Sequence, residues 1–596
     1  MLDAAAYLGV ARSVGGRRWV GPSAAVERMG AAIAQRAGVT EIVGRVLAAR
    51  GVAPEEAGAY LAPSLKALMP DPSTLRDMDA AAERLARAAR DGERIAVFGD
   101  YDVDGACASA MLARWLRHFG VGATLYIPDR IDEGYGPNDP AMAALGAVHD
   151  LVICVDCGSL SHGPVAAARA AGADVLIADH HLCGETLPEA LAVVNPNRQD
   201  ETAGLGPLCA AGVTFLLIVA ANRALRRLGV ATPDPLPLLD LVALATVADV
   251  APLTGLNRAF VRQGLKVLAA RGNAGLRALA DVARLSGPPG SFHLGYMLGP
   301  RINAGGRVGE AWLGARLLST EDVREAEAVA ARLEALNEER RAIEAEVLAQ
   351  ALAQAEARGA DGPLVWAAGP GWHPGVVGIV ASRLKERFNR PAVVIGLDAA
   401  GDGKGEGKGS GRSTQGVDLG SSIAALAREG LLLKGGGHRM AAGLSVAGDM
   451  VEPAMARLAE LLARQGAGRE GPSDLRLDGA VGPGAATVAL AETLEQAGPW
   501  GASAPAPRFA APAVRIASAR IVGAGHVALR LSDGAASLDA IAFGALDAPR
   551  PGADSLGDFL LGRAGERAHL AGRLMLDDWK GRRRVKLQLD DAAPAF

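Results

Sequence analysis

Aromatic residues are scarce in this chain, at 4% of 596 residues. Each Trp or Phe beside polar residues therefore carries more information than usual. Cysteine is scarcer still. Five cysteines, a small and odd number, argue against a disulfide scaffold and for a reducing compartment. No excess of one charge is present: 62 basic residues face 66 acidic ones, a net of -4. That excludes a uniformly basic nucleic-acid binder but leaves room for a local basic channel. The longest apolar run, Ala210 to Ala221, is too short to span a bilayer. Asp3 stands where a secretory signal would carry basic residues, and Arg17-Arg18 is not followed by a long apolar run. Neither a secretory nor a twin-arginine signal is expected. A cytoplasmic protein with no membrane contact is the expectation. No repeat of 20–50 residues is visible.

What the chain has in quantity is glycine, 76 residues, nearly twice the usual share. Loops in which the backbone itself matters are expected. Half the residues are apolar and 21% are charged, the balance of a globular protein. Its length implies about three to five domains. Residues 1–75, punctuated by Pro63, Pro70 and Pro72, read as an N-terminal cap. Over 76–255 short apolar runs end in polar tips: Arg94–Phe98 before Asp100, Leu151–Val155 before Asp156, and Val175–Ala178 before Asp179-His180-His181. With a helix predicted over 106–119, this is the alternation of a parallel α/β sheet. Ligands bind such sheets beyond the carboxyl ends of the strands, where all three tips fall. Residues 256–361 read as a helical connector. A long helix from about Thr320 to Ala357 carries an apolar stripe that includes Val323, Ala326, Ala330, Leu333, Leu336, Ile343 and Val347. Ser319 and Asp322 suggest a capping box at its start. It reads equally as a core helix and as a spacer between domains. A second, smaller α/β unit is expected over 362–465. Alternating short strands over 470–596 suggest a small β-barrel of OB type.

The strongest chemical signal is Gly99-Asp-Tyr-Asp-Val-Asp-Gly105. Asp100, Asp102 and Asp104 crowd the end of a strand, and carboxylates so placed repel unless cations offset them. Hard divalent ions prefer such oxygen ligands. Asp156, the pair His180-His181, and Asp249 after a long apolar stretch add further ligands. Mixed Asp/His ligation suits a two-metal site for phosphoryl chemistry. Cys154, Cys157, His180, His181 and Cys183 offer a rival zinc cluster. Cys154, however, sits inside an apolar strand, and no second Cys-x-x-Cys exists.

With GDYDVDG, VDCG and ADHH the chain resembles the DHH phosphoesterase superfamily. Further stretches resemble its RecJ family: Ile127–Arg130, Gly134–Gly136, Leu298–Arg307, Gly371–Gly375 and Gly378–Ser382. Gly409–Ser413, Gly435–His438 and Ala441–Gly443 resemble the DHHA1 domain. The resemblance covers roughly residues 70 to 590. It implies a parallel-sheet DHH domain joined by the long helix to a DHHA1 domain, then a C-terminal OB-like barrel. The implied activity is a single-stranded-DNA-specific 5′-to-3′ exonuclease of recombination and repair, using two divalent ions, Mn²⁺ or Mg²⁺. Its implied partners are single-stranded DNA, a RecQ-type helicase and a single-strand-binding protein. Carried over by residue, Asp104, Asp156, His180 and Asp249 resemble the ligands of one ion, and Asp102 with the bridging Asp156 those of the other. His181 resembles the family's phosphate-side histidine and, with Asp100, is assigned to catalysis. Where related phosphoesterases have a histidine upstream of the paired aspartates, this chain has Phe98 and Asp100.

On the phosphate side, Arg301, Asn303 and Arg307 lie in a Gly-rich turn whose donors can converge on phosphate oxygens. Ser410, Arg412 and Ser413 offer a hydroxyl–guanidinium cluster, His438 follows three glycines, and Arg130 joins them as a substrate-binding candidate. In the barrel, Trp579 with Arg582, Arg583, Arg584 and Lys586 suits a single strand, by stacking and backbone neutralisation. Two other functions fit the same residues. A phosphodiesterase for short oligonucleotides or cyclic dinucleotides would share the metal tips but need no barrel. A catalytically dead DNA-binding scaffold would have lost metal carboxylates, and here all are present.

Overall fold

The computed structural model describes residues 5–130, 133–398, 405–468, 473–579 and 582–595. Its N-terminal segment divides its packing between two regions. Helices Ala24–Ala37 and Glu41–Ala49 bury Ile33, Val43 and Leu47 in one core with Phe509 and Leu529 of the C-terminal region. Leu65, Leu68 and Leu75 pack on the core of the central α/β region instead. The N-terminal cap thus covers mainly the barrel. Its strand β1 (Arg18–Val20) pairs in parallel with residues Asp474–Arg476.

The central sheet consists of β2 (Ile95–Gly99), β3 (Ala123–Tyr126), β4 (Leu151–Val155), β5 (Asp174–Ala178) and β6 (Ala192–Val194). Their order is β3-β2-β4-β5-β6 and every pairing is parallel. All residues of β2 and β4 are buried. Helices cover both faces of a parallel sheet, so its inner strands read as continuous apolar runs. The register aligns Gly99 with Val155 and Val155 with Ala178. Asp100, Asp156 and Asp179, each the next residue, therefore leave the sheet along one edge.

The long helix runs Val323–Arg358, roughly 54 Å at 1.5 Å per residue. Asp322 alone caps it, accepting from the Arg324 and Glu325 amides, while the Ser319 hydroxyl turns back to Arg316 O. The helix is both core and spacer. Ala326, Ala330, Leu333 and Leu336 belong to the core around β2–β6. Val347, Ala351 and Ala355 belong to the core of the next unit. That unit has β7 (Val365–Pro370), β8 (Ala392–Leu397), β9 (Glu406–Arg412), β10 (Lys434–His438) and β11 (Ala441–Ala447), in the order β10-β11-β9-β8-β7. Although rich in glycine and lysine, residues Glu406–Arg412 form strand β9.

After β12 (Asp474–Arg476), a closed barrel forms from β13 (Phe509–Val522), β14 (His526–Ser532), β15 (Ser537–Ala542), β16 (Arg567–Trp579) and β17 (Arg582–Pro594). Its alternating inward residues Ile516, Leu529, Leu531, Leu587 and Leu589 are buried. Two arginines are among the residues that tie the C-terminal region to the rest. The buried Arg258, on the helix Gly255–Ala269, donates to the carbonyls of Tyr60, Ala497, Gly498 and Pro499. Arg387 donates to the carbonyls of Ala548 and Pro549. Among the described residues no helix is long and apolar enough to cross a membrane.

Candidate metal centre

The turn after β2 is shaped by backbone proximity. A side chain at Gly105 would come within 2.5 Å of the Asp100 carbonyl, and one at Gly306 within 2.7 Å of the Tyr101 carbonyl. Only glycine permits either approach. Asp102 caps the helix Val103–Arg117, one carboxylate oxygen accepting from the Asp104 and Gly105 amides. Asp104 points the other way and accepts from the Ala210 and Ala211 amides at 2.7 and 2.8 Å, at the start of the helix Ala210–Arg227. Asp249 ends the helix Leu239–Ala248. Asp156 adopts φ of +60°, a strained conformation of the kind that persists at functional sites.

These elements bring every predicted ligand into one cluster. Ligand atoms of Asp104, His180 and Asp249 lie within 4.8 Å of one another, as do those of Asp100, Asp102 and Asp156, and those of Asp156, His180 and His181. His180 Nε2 lies 3.2 Å from Asp156 Oδ1 and 3.7 Å from Asp104 Oδ2. Its Nδ1 lies 3.9 Å from Asp249 Oδ2. Asp156 belongs to two of the three groups and neighbours His180 of the third, and Asp100 sits with Asp102.

The electrostatics call for cations. Burial pushes the Asp156 carboxyl well up, and the charges of Asp104 and Asp102 push it further. Burial and then Asp102 do the same to Asp100. Asp249 is pushed up to about 8, by burial and then by Asp104 and Asp102. One oxygen of Asp100 and one of Asp156 are buried without a hydrogen bond. The His180 contact to Asp156 Oδ1 thus lacks hydrogen-bond geometry. Orphaned carboxylate oxygens among mutually repelling carboxyls are the donor set for hard divalent ions. Among the described residues no cysteine joins the ligand groups. Cys154 and Cys157 are buried thiols pushed up chiefly by burial, so the rival zinc cluster does not form.

Sequence reasoning gave no role to Asp179 or Tyr135. Asp179 Oδ1 accepts from His181 Nδ1 at 2.8 Å and from the His180 amide. Burial opposes protonation of His181, yet Asp179 holds its imidazole up at about 9. The Tyr135 hydroxyl lies 3.3 Å from the His181 ring nitrogens and donates to Asp156 O at 3.2 Å. The DHH triplet and the glycines flanking Tyr135 marked both places, but only folding brings them together.

A second cluster faces this one. The Arg130 guanidinium lies over the Tyr101 ring at 5.1 Å. Arg307 donates to Gly375 O and is pushed down to about 10, by burial and then by Arg130 and Arg340. Arg412 donates to Ser410 Oγ at 2.9 Å and is lowered by burial and by Arg130. Arg130 and Ser410 line a cleft of about 400 Å³ together with Lys408 and Lys434. Other predicted residues are engaged elsewhere. Arg301 is buried in an ion pair with Glu334 of the long helix and donates to Met297 O. Asn303 accepts from the Val103 amide and braces the metal-site turn. Ser413 is buried and donates to Val417 O. For Arg301 and Ser413 a local partner satisfies the donor before a ligand arrives. His438 is exposed at the β10–β11 turn, on the rung of Ala441 and Arg412.

On the barrel, Arg583 pairs with Glu492, Arg584 with Asp577 and Asp539, and Lys586 with Asp577. Arg582 is exposed. Trp579 ends β16, and its side chain lies outside the described residues.

Comparison with known proteins accords with this geometry. The model of the DHH family N-terminal domain matches residues 94–246, that of the DHHA1 domain 361–464, and that of the RecJ OB domain 477–591. The chain is 38% identical over 570 residues to a protein of Dickeya dadantii named single-stranded-DNA-specific exonuclease RecJ, covering 92% of this chain and 95% of that one. It is 36% identical over 571 residues to the protein of that name from Escherichia coli, with the same coverage. A crystal structure of RecJ from Thermus thermophilus in complex with Mn²⁺ superposes with a TM-score of 0.78 at 31% identity, over 96% of this chain and 79% of that one. With three domain types in one order and likeness along nearly its whole length, the chain belongs to the RecJ family.

Proposed function

We propose that this chain is a single-stranded-DNA-specific exonuclease that hydrolyses phosphodiesters from the 5′ end with Mn²⁺ or Mg²⁺, in recombination and repair. The observation that carries this reading is the pair of ligand groups meeting at Asp156, faced by a cleft of cations. Asp104, His180 and Asp249 would hold one ion and Asp102, with Asp100 beside it, the other, Asp156 serving both. When bound, the ions supply a polarised water and offset charge on the phosphate. The protein's own groups do the rest. Asp179 and Tyr135 fix the His181 imidazole, so that His181 can present a proton to a phosphate oxygen. Arg130, Arg307 and Arg412 draw a terminal phosphate to the cleft by charge-assisted hydrogen bonds, which sets polarity. The barrel extends the strand's path, a feature a hydrolase of dinucleotides would not need. On this reading the enzyme works in the cytoplasm beside a RecQ-type helicase and a single-strand-binding protein. The test is digestion of a long single strand labelled at either end, with and without Mn²⁺. Early release of the 5′ label, dependent on Mn²⁺, is expected. Release of the 3′ label first would overturn the polarity.

A further inference from the structure

The cleft extends beyond what one terminal phosphate needs. Its floor is the face shared by β9, β11 and β10. Alternate residues of a strand share a face, so Lys408, Ser410 and Arg412 stand in line on β9. Across the sheet, Lys408, Ser445 and Lys434 share one rung, and Ser410, Gly443 and Gly436 the next. The facing is fixed by the helix Pro374–Phe388. A side chain at Gly378 would meet Ser410 Oγ at 3.0 Å and Arg412 Nη2 at 3.1 Å. The intervening Gly409 looks the other way, towards Ile395 and Leu444. Side chains at Gly436 and Gly443 would meet nothing within 4 Å. The result is a glycine-floored trough with a lysine on each side. It adjoins Ser410 and Arg130 and lies further along β9 from Arg412.

Two features define its ligand. Among the described residues no carboxylate lines the trough, and neither Lys408 nor Lys434 is paired with one. Among the same residues no aromatic ring lines it, so a nucleobase finds nothing there to stack on. Fixed cations over an open, flat floor suit a short run of phosphates instead.

We propose that this trough is a polyphosphate site. It takes the outer phosphates of a strand whose 5′ end carries a triphosphate, while Ser410, Arg412 and Arg130 hold the innermost one. This rests on the 5′-end reading given above. Hydrolysis would follow the ordinary course. A water oxygen bonds to the phosphorus of the second nucleotide. The bond from that phosphorus to the 3′ oxygen of the first breaks, and that oxygen leaves with a proton. The first product is then a nucleoside 5′-triphosphate, and the remaining strand carries a 5′-monophosphate.

The experiment compares one oligodeoxynucleotide bearing a 5′-hydroxyl, a 5′-monophosphate or a 5′-triphosphate, by competition binding and by chromatography of the first product in Mn²⁺. The triphosphate strand is expected to compete about 5-fold or more better than the monophosphate strand. In K408Q/K434Q the two should fall within about twofold, whereas K408R, which keeps the charge, keeps the preference. Melting curves of both variants check that they fold. A wild type that binds triphosphate and monophosphate ends alike overturns the proposal, and so does a preference that survives K408Q/K434Q. Lysine-dependent release of dinucleotides would also overturn it, since the trough would then hold a nucleotide. If the wild type does not prefer the monophosphate to the hydroxyl, the 5′-end reading itself fails. An intact monophosphate preference with no gain from the triphosphate removes only the trough.

Discussion

Two groups of cations in this molecule look alike in sequence and differ in the fold. In the cleft, Arg130, Arg412, Lys408 and Lys434 are paired with no carboxylate among the described residues, and Arg130 helps lower both Arg412 and Arg307. On the barrel, Arg583, Arg584 and Lys586 are each within an ion pair. An anion entering the cleft relieves repulsion already present. An anion approaching the barrel must displace a carboxylate. Exposed pairs are worth only about 0–1 kcal/mol, so the barrel can exchange partners, but it starts near neutrality. A run of basic residues is therefore a poor guide to a phosphate site unless the fold leaves it without acids.

Four measurements test this contrast. The largest effect is expected at the acidic edge that the cleft serves. Asp156→Asn keeps a residue that tolerates positive φ but removes a carboxylate shared by two ligand groups and next to His180 of the third. Turnover in saturating Mn²⁺ should fall at least about 1000-fold, a barrier rise of about 4 kcal/mol, with single-strand binding retained. Near-normal turnover would refute the shared-ligand arrangement.

Next comes the cleft. Arg412→Ala should lower kcat/KM for 5′-phosphorylated strands by about 10- to 100-fold, the range of one hydrogen bond to a charged group. A strand with a 5′-hydroxyl should be affected much less. Equal losses on both ends would mean that Arg412 does not read the terminal phosphate.

The third effect is on stability and sets the acidic edge against the barrel through pH. Without metal, Asp249, raised to about 8, and His181, raised to about 9, hold protons that the unfolded chain releases at lower pH. Between about pH 5 and 8 the native state therefore binds more protons, and stability falls as pH rises. The melting temperature of the metal-free protein should drop over that window, and Mn²⁺ should flatten the slope, because bound ions favour the deprotonated ligands. A metal-free melting temperature that rises with pH would contradict this reading of the edge.

The smallest effect is expected on the barrel. Replacing Arg584 or Lys586 by Ala should weaken long-strand binding by less than about threefold and reduce the salt slope by less than about 0.7 per residue, since each already has an acidic partner. A full loss of slope from either would show that the pairs open on binding. Truncating the barrel is a poorer test, because Ile33, Val43 and Leu47 of the N-terminal helices share its core.

The metal centre was largely legible in the sequence. Asp100, Asp156 and Asp179 follow apolar runs, and a parallel sheet must place the residues after aligned strand ends along one edge. The long helix was legible through its stripe, and the barrel through alternation. Other features were not. Arg301 and Ser413 look like phosphate donors in isolation, but Glu334 and Val417 O take them first, and the Asn303 carbonyl oxygen is held by the Val103 amide. Lys408 and Lys434 lie in Gly-rich stretches far apart in sequence, and only pairing with β11 lines them up.

The division has a physical reason. Periodicity and local chemistry are properties of short segments, so the chain alone determined its strands, its long helix and the acidic tips of its catalytic sheet. Which polar group meets which partner depends on atoms far apart in sequence. Arg301 and Glu334, Arg258 and Pro499, and Lys434 and Lys408 meet or align only when separate elements pack. Only the tertiary structure decided which cations the fold consumed and which it left for phosphate.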